Sequence, residues 1–380
     1  MPTFGRNPSR SNITIYCLNY LVQFFHISCI IESNHLLQSQ LNQPQSISIE
    51  YNMHIKLSTL FKQRYFLPLA ITSILLNACS ATPHNAYAYI TNQGENTVSV
   101  INTSSNQVIN TIKVGKAPVG VAISAKLQRA YISNVESQEI SIINTQTNQL
   151  IEAIKIKGSP VGLALSPDNK TLYVADWFDN HVLAINTAQT DLVQEVNVGD
   201  APAGLIVSQD NQWLYVANRD SNDIAVIETA TLTIKKRIKV GKHPFGLALS
   251  NSGKLLASVN VQEDTVSIIN TQTNTQQTIK VGYHPYCAAF SLDEKTLYVT
   301  NTQDDNVTVL DLATQKAIAT INVGSTPEGI SLDHTNQRAY VANWGSNDVS
   351  VIDTQTNKLI TTIKTGDKSR AFGQFILPEQ

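Results

Sequence analysis

The residues best equipped for chemistry stand in two segments 41 positions apart, Lys242-His243-Pro244-Phe245 and Tyr283-His284-Pro285-Tyr286-Cys287. An imidazole changes charge near neutral pH and ligates metals, and two imidazoles with a thiol suit a soft or borderline cation. Cys287, Asp176 and Glu328 are the groups that would complete such a donor set around His243 and His284. A histidine ahead of proline, however, is commonly a plain loop residue. Metal content therefore stays open.

A second kind of chemistry is recognition. Trp177, Arg219, Phe245, Tyr283, Tyr286, Glu328, Trp344 and Arg370 add aromatic and charged side chains to the two histidines, most of them in the later part of the chain. Aromatic walls carrying a few polar groups suit a small organic molecule, a glycan or an extended peptide. Neutral variation on exposed loops would produce the same gathering, because loops vary most. Signatures of nucleophilic or cofactor chemistry are missing from the sequence. It contains no Gly-x-Ser-x-Gly, no His-Glu-x-x-His, no phosphate-cradling Gly-rich loop and no Cys-x-x-Cys-His. No motif requires a cofactor, whose identity is left unknown.

The elements that must position these residues repeat. Tetrads of the Tyr-Val-Ala-Asn type begin at Tyr89, Tyr131, Tyr173, Tyr215, Ala257, Tyr298 and Tyr340, at successive spacings of 42, 42, 42, 42, 41 and 42. A period in the forties built from short alternating strands and turns predicts a β-propeller. The fold class is all-β, seven-bladed, with four strands per blade. Around the fourth tetrad the strands are expected at 214–218, 224–227, 234–240 and 245–250. Each tetrad ends in Asn92, Asn134, Asp176, Asn218, Asn260, Asn301 or Asn343, whose short side chains are expected to hydrogen-bond in the following turn. Asn-Thr-Gln-Thr-Asn turns recur, as at 144–148 and 270–274, and Pro-x-Gly recurs at Pro118, Pro160, Pro202, Pro244 and Pro327. The small residues there suit a crowded strand near an axis. The chain enters on a tetrad strand and finishes on an inner-type strand at 371–376. That last strand is expected to complete the first blade and so remove two open edges.

Tetrads such as Tyr298-Val299-Thr300-Asn301, followed by an Asx-rich turn and Pro-x-Gly, resemble the YVTN family of β-propeller repeats, from Ala86 to about Leu377. The resemblance implies that the Pro-x-Gly strand is innermost and the tetrad strand second. It also implies that ligands meet the face carrying the post-tetrad turns and the Pro-x-Gly segments. On that face stand Gln93, Val135, Trp177, Arg219, Val261, Thr302 and Trp344, and between Pro and Gly, or their equivalents, Val119, Val161, Ala203, Phe245, Tyr286, Glu328 and Arg370. Proteins similar to this family are often exported without assigned chemistry, which favours a non-enzymatic binding or interaction module. The rival is a lactonase-like hydrolase or quinoprotein-like oxidoreductase with Glu328, His243, His284 and Asp176 as polar actors. Fold alone does not separate the two.

The first 85 residues read as an address. From Met53, a positive start at Lys56, Lys62 and Arg64 precedes an apolar core and the end Leu76-Asn77-Ala78-Cys79. This resembles a lipoprotein signal peptide, whose cysteine is lipidated. The expected organisation is residues 1–52 as a start-site artefact or weakly apolar extension, 53–78 as signal, 79–85 as linker and 86–377 as propeller. Export to the periplasm or cell surface follows, with anchoring to the outer membrane through Cys79 and no other membrane contact. The formal net charge is −2, the part after Cys79 is acidic, and no basic tract argues for nucleic acid. Of four cysteines only Cys287 lies within the repeats, so burial rather than disulfides must hold the fold.

Overall fold

The computed structural model describes residues 86–377; the proposed signal, Cys79 and the linker lie outside the described residues. Each repeat forms one antiparallel sheet, and seven such sheets follow one another with no helix among the described residues. Blade four shows the pattern: Pro202–Val207, Trp213–Asn218, Asp223–Glu228 and Thr233–Lys239, hydrogen-bonded in that order. The last three of these strands fall within two residues of those expected at 214–218, 224–227 and 234–240, whereas the strand expected at 245–250 forms at Pro244–Leu249 and opens blade five. The Pro-x-Gly strand is innermost, the tetrad strand second, and the outermost strand is mostly exposed.

Tetrad strands are buried on both faces because each blade is covered by its neighbours, and this produces near-continuous apolar runs. The innermost strands meet around the axis at backbone contact. A Cβ on Gly246 would lie 2.4 Å from the carbonyl oxygen of Tyr286 in the next blade, and one on Gly204 would lie 2.3 Å from that of Phe245. Side chains of the tetrads bolt neighbours together. Thr91 Oγ1 donates to the Val119 carbonyl at 3.1 Å, and Thr300 Oγ1 to the Glu328 carbonyl at 2.9 Å, in each case the residue between Pro and Gly of the following blade.

The ring closes as the strand order predicts, with one difference. Ile376–Leu377 pairs with Tyr87–Asn92 and completes the first blade. The expected single strand over 371–376 is instead broken in two. Phe372–Gly373 lies parallel to Pro118–Ser124 of blade two, and Gly373, at a φ of 110°, turns the chain back before Ile376. Such a dihedral lies outside the strand region open to L side chains. Phe375 between the two segments is fully buried, and its carbonyl accepts from the Tyr89 N–H at 2.9 Å.

Asp176 accepts from the N–H groups of Phe178 and Asp179 in the following turn, as expected, but the tetrad asparagines act differently. Rather than bonding mainly to the turn, Asn343 Nδ2 donates across the hairpin to Asp348 Oδ1 at 2.8 Å and Ser350 Oγ at 3.0 Å, and Asn301 does the same to Asn306 and Thr308.

Candidate functional site

Two regions on the axis have the makings of a site. At the Pro-x-Gly end, four rings pack at a tilt: Phe245 lies 4.3 Å from Tyr286, 5.0 Å from Phe372 and 5.7 Å from Trp177 between centroids. Beside them the Arg370 guanidinium donates from Nε to Glu328 Oε2 at 2.5 Å, from Nη2 to the Tyr286 hydroxyl at 2.7 Å, and from Nη1 to Gln93 Oε1 at 3.4 Å. Trp344 Nε1 donates to the same Gln93 oxygen at 3.1 Å. Burial pushes the Glu328 carboxyl up while Arg370 pulls it down, and burial also raises the Tyr286 phenol and the Cys287 thiol. The charges there are spent on one another, and a thiol so held is a poor nucleophile.

The fold thus brings Trp177, Phe245, Tyr286, Glu328 and Arg370 into one cluster and attaches Trp344 through Gln93. Arg219 sits 5.6 Å over the Trp177 ring and pairs with Asp220 at 2.6 Å. Tyr283 is exposed. The histidines serve their own turns. His243 and His284 have positive φ at the position held elsewhere by Ala117, Ala201, Thr326 and Lys368, and their N–H groups donate to Asn222 and Asp264. His243 Nε2 lies 3.9 Å from Asp220, with burial and then Arg219 lowering its pKa, whereas His284 Nδ1 contacts Gln303 at 3.3 Å. Among the described residues, the three-residue group spaced to hold a cation is Asp176, Asp179 and His181, which includes neither of these histidines nor Cys287.

The second region is a cavity of about 720 Å³ running along the axis from the Pro-x-Gly glycines to the turns at the opposite end. Its walls come from the innermost strands, with Leu165, Leu205, Leu249, Ala289 and Leu332 among them, and Cys287 and Phe372 contribute at the level of the aromatic cluster. Ser166, Asn169, Gln209, Asn251, Ser291 and Gln374 add polar groups. The titratable residues of the lining are Cys287, Asp333 and His334. Asp333 is buried and accepts twice from Asn336, while burial lowers the His334 pKa. Attention to the Pro-x-Gly face alone overlooks this cavity. The signal available was the second half of each inner strand, where apolar and small residues alternate beyond the glycine and then give way to Ser-Pro-Asp or Asp-His-Thr turns.

Comparison with known proteins agrees with this architecture. The family model described as "Lactonase, 7-bladed beta-propeller" matches residues 163–282, from the inner strand of blade three through blade five. No curated protein matches the sequence. Among solved structures, hydrazine synthase of Kuenenia stuttgartiensis is similar at 24% identity and a TM-score of 0.63, covering 70% of this chain and 92% of that one. A functionally unknown protein from Desulfotomaculum acetoxidans is similar at 14% identity and a TM-score of 0.66, covering 76% and 99%. Dihydro-heme d1 dehydrogenase NirN is similar at 14% and 0.58, covering 74% of this chain and 64% of that one. At these identities the likeness is one of fold, and the chain is a seven-bladed β-propeller whose residues 163–282 match the lactonase family model.

Proposed function

We propose that the protein is an exported, lipid-anchored binding module that takes a small organic molecule of mixed polarity in its axial cavity. The observation that carries this reading is the cavity's lining: apolar side chains and polar groups in comparable measure, with titratable residues limited to Cys287, Asp333 and His334. The groups suited to acid–base work, Glu328, Arg370 and His243, lie outside that lining. Anchoring through Cys79 would suit the same geometry. Ala86, which contributes to the cavity lining, stands seven residues after Cys79, a separation that extended chain spans in roughly 25 Å.

The test uses a solvatochromic dye as probe. Saturable one-to-one enhancement in the wild type, abolished by Leu249→Trp and by Leu165→Trp with melting temperatures little changed, is the expected result. Dye binding that survives both fillings would overturn the reading. A lactonase-like hydrolase is the second reading, favoured by the family match over residues 163–282. Turnover of a lactone panel that disappears in Glu328→Gln would put it first.

A further inference from the structure

We propose that blade three carries a divalent transition-metal site formed by Asp176, Asp179 and His181. In blade four the tetrad Asn218 donates its amide N–H to Asp223 Oδ1 at 2.8 Å, and in blade five Asn260 donates to Thr265 Oγ1 at 3.0 Å. Blade three inverts this chemistry. Asp176 replaces the asparagine, so an oxygen lone pair stands where the other blades present an N–H, and His181 occupies the place of the acceptor.

Five observations aim these groups at a common ligand. Asp176 is fully buried, and its Oδ1 accepts from the N–H groups of Ser159, Phe178 and Asp179 at 3.1, 3.2 and 3.3 Å. That fixes the carboxylate and leaves Oδ2, also buried, with no hydrogen-bond partner in the protein. His181 Nδ1 lies 3.3 Å from the Asp179 carbonyl oxygen, a contact in which Nδ1 carries the proton and Nε2 presents its lone pair. Nε2 stands 3.8 Å from Asp176 Oδ2. The donor atoms of Asp176, Asp179 and His181 all lie within 4.8 Å of one another.

Gly158 keeps the space open. It has a φ of 99°, and a Cβ there would fall 1.5 Å from Asp176 Oδ2. Two carboxylates and one imidazole make a mixed oxygen–nitrogen donor set of the kind that holds Zn²⁺ or a similar cation with positions left for water. Ligand atoms on tetrahedral Zn²⁺ stand roughly 3.3 Å apart, so binding would draw Nε2 and Oδ2 together by about half an ångström. Asp179 is exposed, so the cation reaches the site from solvent.

Zn²⁺ itself is the probe, titrated calorimetrically into the full chain purified without a histidine tag, with melting temperatures read in parallel. One Zn²⁺ per chain and a melting temperature raised by Zn²⁺ are expected. Asp179→Asn, on the surface, should weaken binding by at least about tenfold without changing the melting temperature of the metal-free protein. The double substitution Asp176→Asn with His181→Thr recreates the pair already present in blade five and should abolish both the heat and the thermal shift. Wild type that takes up no Zn²⁺ would identify the pair as a simple Asp–His contact and overturn the proposal, as would undiminished uptake in the double variant.

Discussion

Blades three and seven begin alike and end differently. Both place a tryptophan after the tetrad, Trp177 and Trp344, and both rings carry a cation above them, Arg219 at 5.6 Å and Lys368 at 5.4 Å. In blade seven the Asn343 amide N–H and the Tyr340 hydroxyl are engaged in holding the ring together, while Asn343 Oδ1 has no partner. Asn343 spans its hairpin, and Tyr340 donates to the Thr103 carbonyl of blade one at 3.0 Å and lies 2.9 Å from the Asn106 amide. In blade three Asp176 offers no N–H and its Oδ2 has no partner, and the Tyr131 hydroxyl of blade two has none either. For Tyr131 the cause is legible in the turn of blade three, whose counterparts its equivalents bond elsewhere. Thr190 stands where blade two has Asn148, whose φ of 52° a β-branched residue adopts poorly, and the outermost strand begins only at Val193. One repeat sequence thus places an amide donor across the hairpin at one point of the ring and a carboxylate without a donor at another.

Opening the ring beside blade seven should have the largest effect. Ending the chain after Arg370 removes Phe372, Phe375 and Ile376, all buried, along with the strand that completes blade one. At about 2 kcal/mol for each large apolar side chain, the loss is roughly 6 kcal/mol, enough to unfold a domain of ordinary stability. A melting temperature equal to wild type would show that closure at the seven–one junction does not hold the ring.

Exchanging the tetrad residues sharpens the contrast. Asn343→Asp would face Asp348 Oδ1, now 2.8 Å from the amide nitrogen, with a second buried carboxylate. A cost of about 3 kcal/mol or more is expected in chemical denaturation, as for other uncompensated buried charges. The reverse change, Asp176→Asn, restores the pattern of the other six blades and should alter stability by less than about 1 kcal/mol. Equal losses in the two variants would mean that blade three is no exception.

Much of this was written in the sequence, though unevenly. Period, strand order and closure follow from the tetrads and from the unpaired inner strand at the end, because blade repetition is a local property of strands and turns. Crowding at the axis was legible in the Pro-x-Gly segments for the same reason. The break at Gly373 was not, since it depends on how the last segment meets Val121 of blade two. The candidate site was less legible still. His243 and His284 drew notice by residue type, yet their positions are set by a turn that needs positive φ. His181 gave no such signal, because its meaning depends on Asp176 five residues earlier having lost the N–H that every other blade supplies. The axial cavity could not be read at all from one repeat, as its walls are shared by successive inner strands.

The smallest effect is also the most specific to the comparison. Tyr340→Phe removes a buried hydrogen bond that crosses the closure and should lower stability by about 1 kcal/mol. Tyr131→Phe removes a hydroxyl that has no partner and should be neutral or slightly stabilising, because a buried unpaired polar group is itself unfavourable. Alkali tests the seven–one joint as well. Burial pushes the Tyr340 phenol up from 10.0 to about 12, so between these values the folded protein holds a proton that the unfolded chain has released. Stability is then complete below about pH 10 and falls as the pH rises toward 12. Tyr340→Phe should make that fall shallower when unfolding is followed across this range. An alkaline profile unchanged by Tyr340→Phe would mean that the hydroxyl at the seven–one joint is not among the groups whose ionisation loosens the ring.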